Sequence, residues 1–202
     1  MRIVLGLGNP GERYRRTRHN LGHHVVEHLG VRWGASPGSL TPLGRVVRIA
    51  VVEIRGRSVV LAKSMTYMNR SGRAGLALCE HYGVEPPDLL VVYDDADLEL
   101  GRVRVRPRGG AGGHNGMRSL IAALSSEDMP RIRLGILGRD RTRSELADYV
   151  LDEFEPEETV LARAMIETGA DAVEAVAVEG VEAAMNRFNV RPPPPGVEPA
   201  ED

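Results

Sequence analysis

Apolar runs of strand length alternate along the chain with stretches in which apolar residues recur at helical spacing. Four runs rich in Val, Ile and Leu predict buried strands, at residues 2–8, 46–52, 59–62 and 89–93. The second and third runs flank Arg55-Gly56-Arg57, which predicts a hairpin. Two further segments alternate arginine with apolar residues and predict strands with one charged face, at residues 102–106 and 131–134.

Helical spacing predicts four helices, at residues 20–30, 71–83, 117–124 and 156–181. Asn20 can cap the first of these, and residues 31–42 are predicted to form a loop. Strands that alternate with helices indicate an α/β fold in a single domain, with a mixed, twisted sheet flanked by helices. We assign residues 1–190 to this domain. Residues 191–202 are rich in proline and acidic residues, which predicts a disordered tail.

Charge is distributed unevenly along the 202 residues, although the net charge is only −2. Residues 1–144 contain 23 Lys and Arg against 13 Asp and Glu, whereas residues 145–202 contain 3 Arg against 15 Asp and Glu. A cationic body favours a polyanionic partner, with a plain solvated surface as the alternative. No apolar run approaches the roughly 18–20 residues of a membrane span, and no signal peptide is evident, so we predict a cytoplasmic protein without membrane contact.

Residues 6–11 read Gly-Leu-Gly-Asn-Pro-Gly and match the G-x-G-x-x-G fingerprint of dinucleotide-binding folds. That fingerprint requires a helix to open at its third glycine, but the first predicted helix begins only near Asn20. It also requires an acidic residue at the end of a second strand about 20 residues later, and Glu27 falls inside that helix. We therefore predict no dinucleotide cofactor.

His19 is the candidate for the chemistry of this protein. It stands in a basic stretch just before the first predicted helix, and a neutral imidazole is the commonest general base near pH 7. Asp94 directly follows a predicted central strand and is the carboxylate expected to orient the imidazole. These residues favour a hydrolase in which His19 activates water. The alternative is a non-catalytic RNA-binding module in which both side chains are incidental.

A covalent nucleophile is not predicted. The sequence contains no G-x-S-x-G nucleophile elbow, and Cys79, the only cysteine, lies in an amphipathic helical stretch where burial is expected. A single cysteine also excludes an internal disulfide and a thiolate metal cluster.

Segment 94–99 contains four carboxylates and offers the oxygen ligands that Mg²⁺ favours. One short segment seldom completes such a site, so a solvated acidic turn is the alternative for Asp95, Asp97 and Glu99. Asp94 is set apart by its position at the end of a predicted strand.

Three histidines lie on the first predicted helix. His24 and His28 are four residues apart, as zinc-binding histidines on a helix are, but neither an HExxH motif nor a third ligand is evident. Together with His23, they are predicted to be ordinary helix positions. We predict no metal in this protein.

Three asparagines are candidates for binding a carbonyl oxygen. Asn9 lies in the first turn of the chain, and Asn69 and Asn115 precede predicted helices. A carboxamide NH2 group can polarise a carbonyl, and the glycines before Asn115 would let a substrate approach the backbone closely. The alternative for Asn69 and Asn115 is that both serve only as turn residues or helix caps.

Arginines are concentrated near these candidates. Arg104, Arg106 and Arg133 fall on alternating strands, where like charges repel unless an anion neutralises them, and the guanidinium fork suits phosphate. Four more arginines lie close to His19 in the sequence: Arg13, Arg15, Arg16 and Arg18. Together they predict a surface that contacts the phosphates of a structured RNA.

Several of these motifs, taken in order, resemble those of bacterial-type peptidyl-tRNA hydrolase over roughly residues 2–190. The segments that carry the resemblance are residues 6–11 with Tyr14, residues 17–20, residues 66–72, Asp94 with residues 97–98, and residues 109–116. The resemblance implies a monomeric α/β enzyme without metal or cofactor. Such an enzyme hydrolyses the ester that joins a peptide, or an N-blocked aminoacyl group, to the 3′-terminal ribose of tRNA.

The resemblance also implies a role for individual residues. His19 matches the general base, Asp94 the carboxylate that holds it, and Asn9 the asparagine that discriminates blocked from free aminoacyl-tRNA. Residues implied to contact the tRNA 3′ end or its peptidyl group are Tyr14, Tyr67, Met68, Asn69, His114 and Asn115. Arg106 and Arg133 are implied to clamp the 5′-phosphate. Ser64 and Asp140 stand where the family commonly has proline, and both departures concern loop rigidity.

Overall fold

Seven strands form one mixed sheet within residues 2–35, 40–138 and 146–190, the parts of the chain that the computed structural model describes. The strands are β1 (Arg2–Gly6), β2 (Thr41–Leu43), β3 (Val47–Ile54), β4 (Arg57–Ser64), β5 (Leu89–Glu99), β6 (Val103–Arg106) and β7 (Arg131–Leu137). Their order is β2-β3-β4-β1-β5-β7-β6. The central strands β4, β1, β5 and β7 are parallel. At the edges the pairing is antiparallel, between β3 and β4, between β2 and β3, and between β6 and β7.

Helices cover both faces of this sheet. They are α1 (Leu21–Arg32), α2 (Gly72–Tyr82), α3 (Asn115–Leu124), α4 (Leu146–Tyr149), α5 (Thr159–Val178) and α6 (Val181–Phe188). Val4 of β1 packs in the apolar cluster of α1 and α5, whereas its neighbours Ile3 and Leu5 pack in the cluster of α2 and α3. Successive strand side chains point to opposite faces, so burial on both faces requires the nearly continuous apolar runs of the sequence. The predicted single-domain α/β fold is confirmed.

The predicted hairpin is present, with β3 and β4 joined at Arg55 and Gly56. Both residues have positive φ, 48° and 79°, which is the geometry that a tight two-residue hairpin turn requires. Residues 41 and 42, however, were predicted to be loop and instead belong to β2, which pairs with β3. The sequence of β2, Thr-Pro-Leu, lacks an apolar alternation, and proline is tolerated there because β2 is an edge strand.

The last predicted helix is two helices in the structure. α5 ends at Val178, and α6 begins at Val181 after Gly180, whose φ of 97° cannot continue a helix. The short helix α4 was also not predicted. Residue 140 and the predicted tail, residues 191–202, lie outside the described residues, so the boundary at residue 190 stays a prediction.

The prediction that the strand ends before Asp94 is wrong. β5 does not end at Asp94 but continues to Glu99, with a register shift against β7 between Asp95 and Glu99. Asp95 was expected in a solvated acidic turn, yet it is buried and accepts a hydrogen bond from Arg133, while Asp97 and Glu99 are exposed. The pairing with β7 therefore extends a strand through residues of low strand propensity.

None of the helices within the described ranges combines the length and the apolarity that a bilayer crossing demands.

Candidate active site

His19 and Asp94 are in direct contact. His19 lies in the 3-10 turn Arg18–Asn20 that leads into α1, and Asp94 lies in β5. Nδ1 of His19 is 2.9 Å from both Oδ1 and Oδ2 of Asp94. Both side chains are buried, with 7% and 1% exposure. The pairing that the sequence could only suggest is thus present in the structure.

His114 forms a second contact with the same carboxylate. It caps α3, where its Nδ1 accepts a hydrogen bond from the backbone N–H of Met117 at 3.2 Å. Nδ1 therefore carries no proton, so the proton is on Nε2, which donates to Oδ1 of Asp94 at 3.3 Å. Sequence reasoning included His114 only through the family resemblance, and its contact with Asp94 was not foreseen.

Asp94 and the two histidines stabilise one another's charge. Burial raises the pKa of Asp94, but the charge of His19 and hydrogen bonds from His114 and His19 outweigh it and hold that pKa well below its usual range. Burial lowers the pKa of His19, but the charge and hydrogen bond of Asp94 raise it above the ordinary 6.5. Asp94 is therefore an anion that attracts a proton to Nδ1 of His19, which leaves Nε2 as the basic nitrogen.

A cleft of about 270 Å³ opens beside this group. Its lining includes His19, Asp94 and His114, together with Gly113, Asn115 and Val150. Asn115 is exposed there and accepts a hydrogen bond from Arg118 through Oδ1 at 3.0 Å, which leaves its NH2 group available. It is the first residue of α3 and not its cap, because His114 occupies the cap position.

Asn9 is held in one orientation by three hydrogen bonds. Its Oδ1 accepts from the backbone N–H of Met68 at 2.8 Å. Its backbone N–H donates to Oδ1 of Asn20 at 2.8 Å, and Nδ2 of Asn20 donates back to the Asn9 carbonyl at 3.0 Å. The prediction that the side chain of Asn20 caps α1 is wrong, since it makes no helix-cap hydrogen bond. Because a backbone N–H can only donate, the acceptor must be Oδ1, and the Asn9 NH2 group is directed elsewhere.

Two glycines of the first turn, Gly6 and Gly8, are required by close packing. A Cβ atom on Gly6 would lie 2.2 Å from the carbonyl oxygen of Gly22, and one on Gly8 would lie 2.6 Å from Nδ1 of His23. α1 begins only at Leu21, so the helix that a dinucleotide fingerprint requires after Gly11 is replaced by the turns that carry His19.

Of the described residues, His19, Asp94 and His114 are the group that could hold a metal ion, with ligand atoms within 4.8 Å of one another. Their hydrogen bonds to each other already use Nδ1 of His19 and Oδ1 of Asp94. The helix histidines do not join this group: His23 is buried beneath Gly8, and burial, with Lys63 and His24, lowers its pKa well below 6.5.

Asn9 and the side chains implied to bind the tRNA 3′ end from residues 14 and 67–69 do not line the cleft of His19. Tyr14 and Tyr67 meet edge to face with ring centroids 6.5 Å apart, and Tyr67 is 52% exposed. Met68 is buried and contacts Asn9 through its backbone, while Asn69 is exposed in the next position.

The arginines divide into exposed and structural groups. Arg106 is exposed on the edge strand β6, whereas Arg133 on β7 donates through Nε to Asp95. Burial lowers the pKa of Arg133, but the hydrogen bond and charge of Asp95 outweigh it and raise that pKa. The prediction that Arg18 is a surface residue is wrong, because this residue is fully buried. Arg104 is partly buried, and its Nε has no hydrogen-bond partner within the described part of the chain.

Comparison with known proteins identifies the family. The model of the peptidyl-tRNA hydrolase family matches residues 3–195. A peptidyl-tRNA hydrolase from Chloroflexus aurantiacus is 47% identical over 190 residues, which cover 94% of this chain and 99% of the relative. One from Mycobacterium tuberculosis is 45% identical over 187 residues, which cover 93% and 96%. A solved peptidyl-tRNA hydrolase from Acinetobacter baumannii has a TM-score of 0.83 at 30% identity and covers 96% of this chain and 97% of its own. The resemblance of the motifs is thus confirmed, and this chain belongs to the peptidyl-tRNA hydrolase family.

Proposed function

We propose that His19 is the general base in the hydrolysis of peptidyl-tRNA, the reaction that membership of the family assigns to this chain. The bond broken is the ester between the peptide, or an N-blocked aminoacyl group, and the 3′-terminal ribose of tRNA. Its products are a free carboxylic acid and a tRNA that can re-enter translation in the cytoplasm.

One observation carries the assignment of the base. Nδ1 of His19 is held on the buried carboxylate of Asp94, and the remaining nitrogen, Nε2, has no hydrogen-bond partner among the described residues. Asp94 keeps the proton on Nδ1 and stabilises the imidazolium that forms when Nε2 takes a proton from water. General-base assistance of this kind contributes about 10²- to 10⁴-fold to the rate.

Asn9 supplies the polar contact for the substrate carbonyl. Met68 fixes its Oδ1, and the NH2 group is left to donate to the carbonyl oxygen or to the oxyanion that follows water attack. One such donor contributes about 10²- to 10³-fold. The same rigid carboxamide is proposed to discriminate blocked from free aminoacyl-tRNA.

The surrounding side chains are proposed to bind the acceptor end of the tRNA. Those assigned to the 3′ end and the peptidyl group are Tyr14, Tyr67, Met68, Asn69, His114 and Asn115. Arg106 and Arg133 are assigned to the 5′-phosphate; the hydrogen bond from Nε of Arg133 to Asp95 orients its guanidinium group. We propose that the protein acts as a monomer without metal or cofactor.

Turnover of N-acetyl-aminoacyl-tRNA by wild type, His19→Ala and His28→Ala tests this proposal. His28 is the matched control because it lies farther along α1, hydrogen-bonded to Arg32. We expect wild-type turnover in His28→Ala and a loss of about 10²- to 10⁴-fold in His19→Ala. Undiminished turnover in His19→Ala would remove His19 as the base, and an inactive wild type would favour a non-catalytic RNA-binding module.

A further inference from the structure

Arg18, the neighbour of His19, is a fully buried charge that the reaction itself does not use. Its Nη1 donates to the carbonyl oxygen of Glu153 at 2.5 Å, and its Nη2 donates to the carboxylate of Glu158. The guanidinium lies 4.2 Å from the ring centroid of Tyr149 and 5.0 Å from that of Phe154. A planar, forked cation is well suited to this position, because it can stack on aromatic rings and bond two separate oxygens at once.

The segment that encloses Arg18 also fixes the backbone of His19. The backbone N–H of His19 donates to the carbonyl of Val150 at 2.9 Å, and that of Arg18 donates to the carbonyl of Asp152 at 3.0 Å. Thr17 forms a β-bridge with Glu153. Val150 itself lines the cleft beside His19 and Asp94. One short stretch, residues 149–158, therefore contacts both the backbone of the base and the cleft.

Both ends of residues 149–158 are anchored in the fold. The hydroxyl of Tyr149 donates to the carbonyl of Ile136 at 2.5 Å and accepts from the N–H of Gly138 at 3.1 Å, at the end of β7. β7 pairs with β5 at the position of Asp94, whose partner is Leu134. At the other end, Glu158 accepts from the N–H of Glu155 at 3.0 Å and closes a capping box before α5.

We propose that Arg18 is a positioning residue for His19: by fastening residues 149–158 onto the turn Arg18–Asn20, it holds Nδ1 of His19 on Asp94. The inference rests on the proposed role of His19 as base. Arg18 touches neither the cleft nor a reacting atom, so it acts through the placement of the imidazole. A displacement of about 1 Å at a reacting group can cost about 10²-fold in rate.

Arg32, at the far end of α1 from Arg18, offers a matched control. It is the last residue of α1 and donates to Asp171 and Glu174 of α5, at 2.7 and 2.9 Å. Arg18 and Arg32 thus each join the region of α1 to that of α5 through carboxylates, but at opposite ends of a 12-residue helix. Arg32 contacts none of the residues of the cleft.

The test compares Arg18→Lys and Arg18→Met with Arg32→Lys and Arg32→Met in the full-length protein. kcat and KM for N-acetyl-aminoacyl-tRNA are measured where each variant is folded, and the Nδ1 proton of His19 is followed by NMR. We expect both Arg18 variants to lose about 10- to 100-fold in kcat with KM unchanged. The His19 proton signal should shift in these variants. Both Arg32 variants should lower Tm while kcat and the signal stay as in wild type.

Wild-type kcat and an unchanged His19 signal in folded Arg18→Lys would overturn the proposal, even if Arg18→Met fails to fold. Equal losses of kcat in the Arg32 variants would also overturn it, because the effect would then be general destabilisation. The two proposals fail separately. If the His19 signal shifts in Arg18→Lys but kcat is unchanged, Arg18 does position the imidazole but His19 is not the base. His19→Ala would then also show an unchanged kcat.

Discussion

Asp94→Asn should stop catalysis by placing the proton of His19 on the wrong nitrogen. The substitution keeps the size of the side chain but offers one acceptor and one donor where two acceptors stood. His114 can only donate through Nε2, because Met117 occupies its Nδ1, so the carboxamide oxygen faces His114. The carboxamide NH2 group then takes the Oδ2 position, 2.9 Å from Nδ1 of His19, and favours the tautomer in which Nδ1 accepts a hydrogen bond. In that tautomer Nε2 carries the proton and cannot take one from water.

The magnitude follows from the geometry. Both carboxylate oxygens of Asp94 lie 2.9 Å from Nδ1 of His19, so the side chain cannot avoid this contact by rotation. The loss should therefore approach the whole contribution of the general base, about 10²- to 10⁴-fold in kcat. KM should change little because Asp94 is 1% exposed and leaves the contacts to tRNA intact.

The assay is steady-state hydrolysis of N-acetyl-aminoacyl-tRNA over a range of pH. A second signature accompanies the loss: without the charge of Asp94, burial alone acts on the pKa of His19 and lowers it, so the acid limb of residual activity should move to lower pH. Asp88→Asn is the control, because Asp88 immediately precedes the opposite end of β5. A kcat within a few-fold of wild type in Asp94→Asn would refute the reasoning.

Three further predictions follow from the charges of the site. The base must be neutral, so kcat/KM of wild type should fall as pH drops through the raised pKa of His19; an acid limb below 6.5 would contradict the ion pair with Asp94. Arg106→Ala should raise KM for full-length tRNA substrates and leave short ester substrates nearly unaffected, whereas equal losses on both would mean that Arg106 supports the fold. Turnover should survive removal of divalent ions by EDTA; loss that added metal restores would place an ion at His19, Asp94 and His114.

The parts of the fold that could be predicted are those set by local pattern. β1, β4 and the first part of β5 have apolar runs because both faces of the sheet are covered, and the hairpin at Arg55 and Gly56 follows from its turn. Gly180, between two helical stretches, was a usable signal for the break between α5 and α6. Beyond Asp94, β5 is held by pairing with β7, which composition does not reveal.

The role of a site residue could be predicted where its side-chain type allows few functions. It could not be predicted where the role depends on a partner that is distant in the sequence. His19 and Asp94 are 75 residues apart in the sequence, and the contact between β5 and the turn before α1 brings them together. Arg18 was misplaced on the surface for the same reason, since its counter-charge, Glu158, is 140 residues away. Asparagine is a preferred residue at helix N-caps, but the side chain of Asn20 forms hydrogen bonds with the backbone of Asn9 instead.

Imidazole rescue of His19→Ala tests the central claim most directly. The substitution removes the base but leaves Asp94 and the cleft beside it, where added imidazole can take the vacant position. kcat for N-acetyl-aminoacyl-tRNA should fall by about 10²- to 10⁴-fold and then rise with the concentration of neutral imidazole. Wild-type kcat without imidazole, or a rescue that follows the imidazolium cation, would show that His19 does not activate the water.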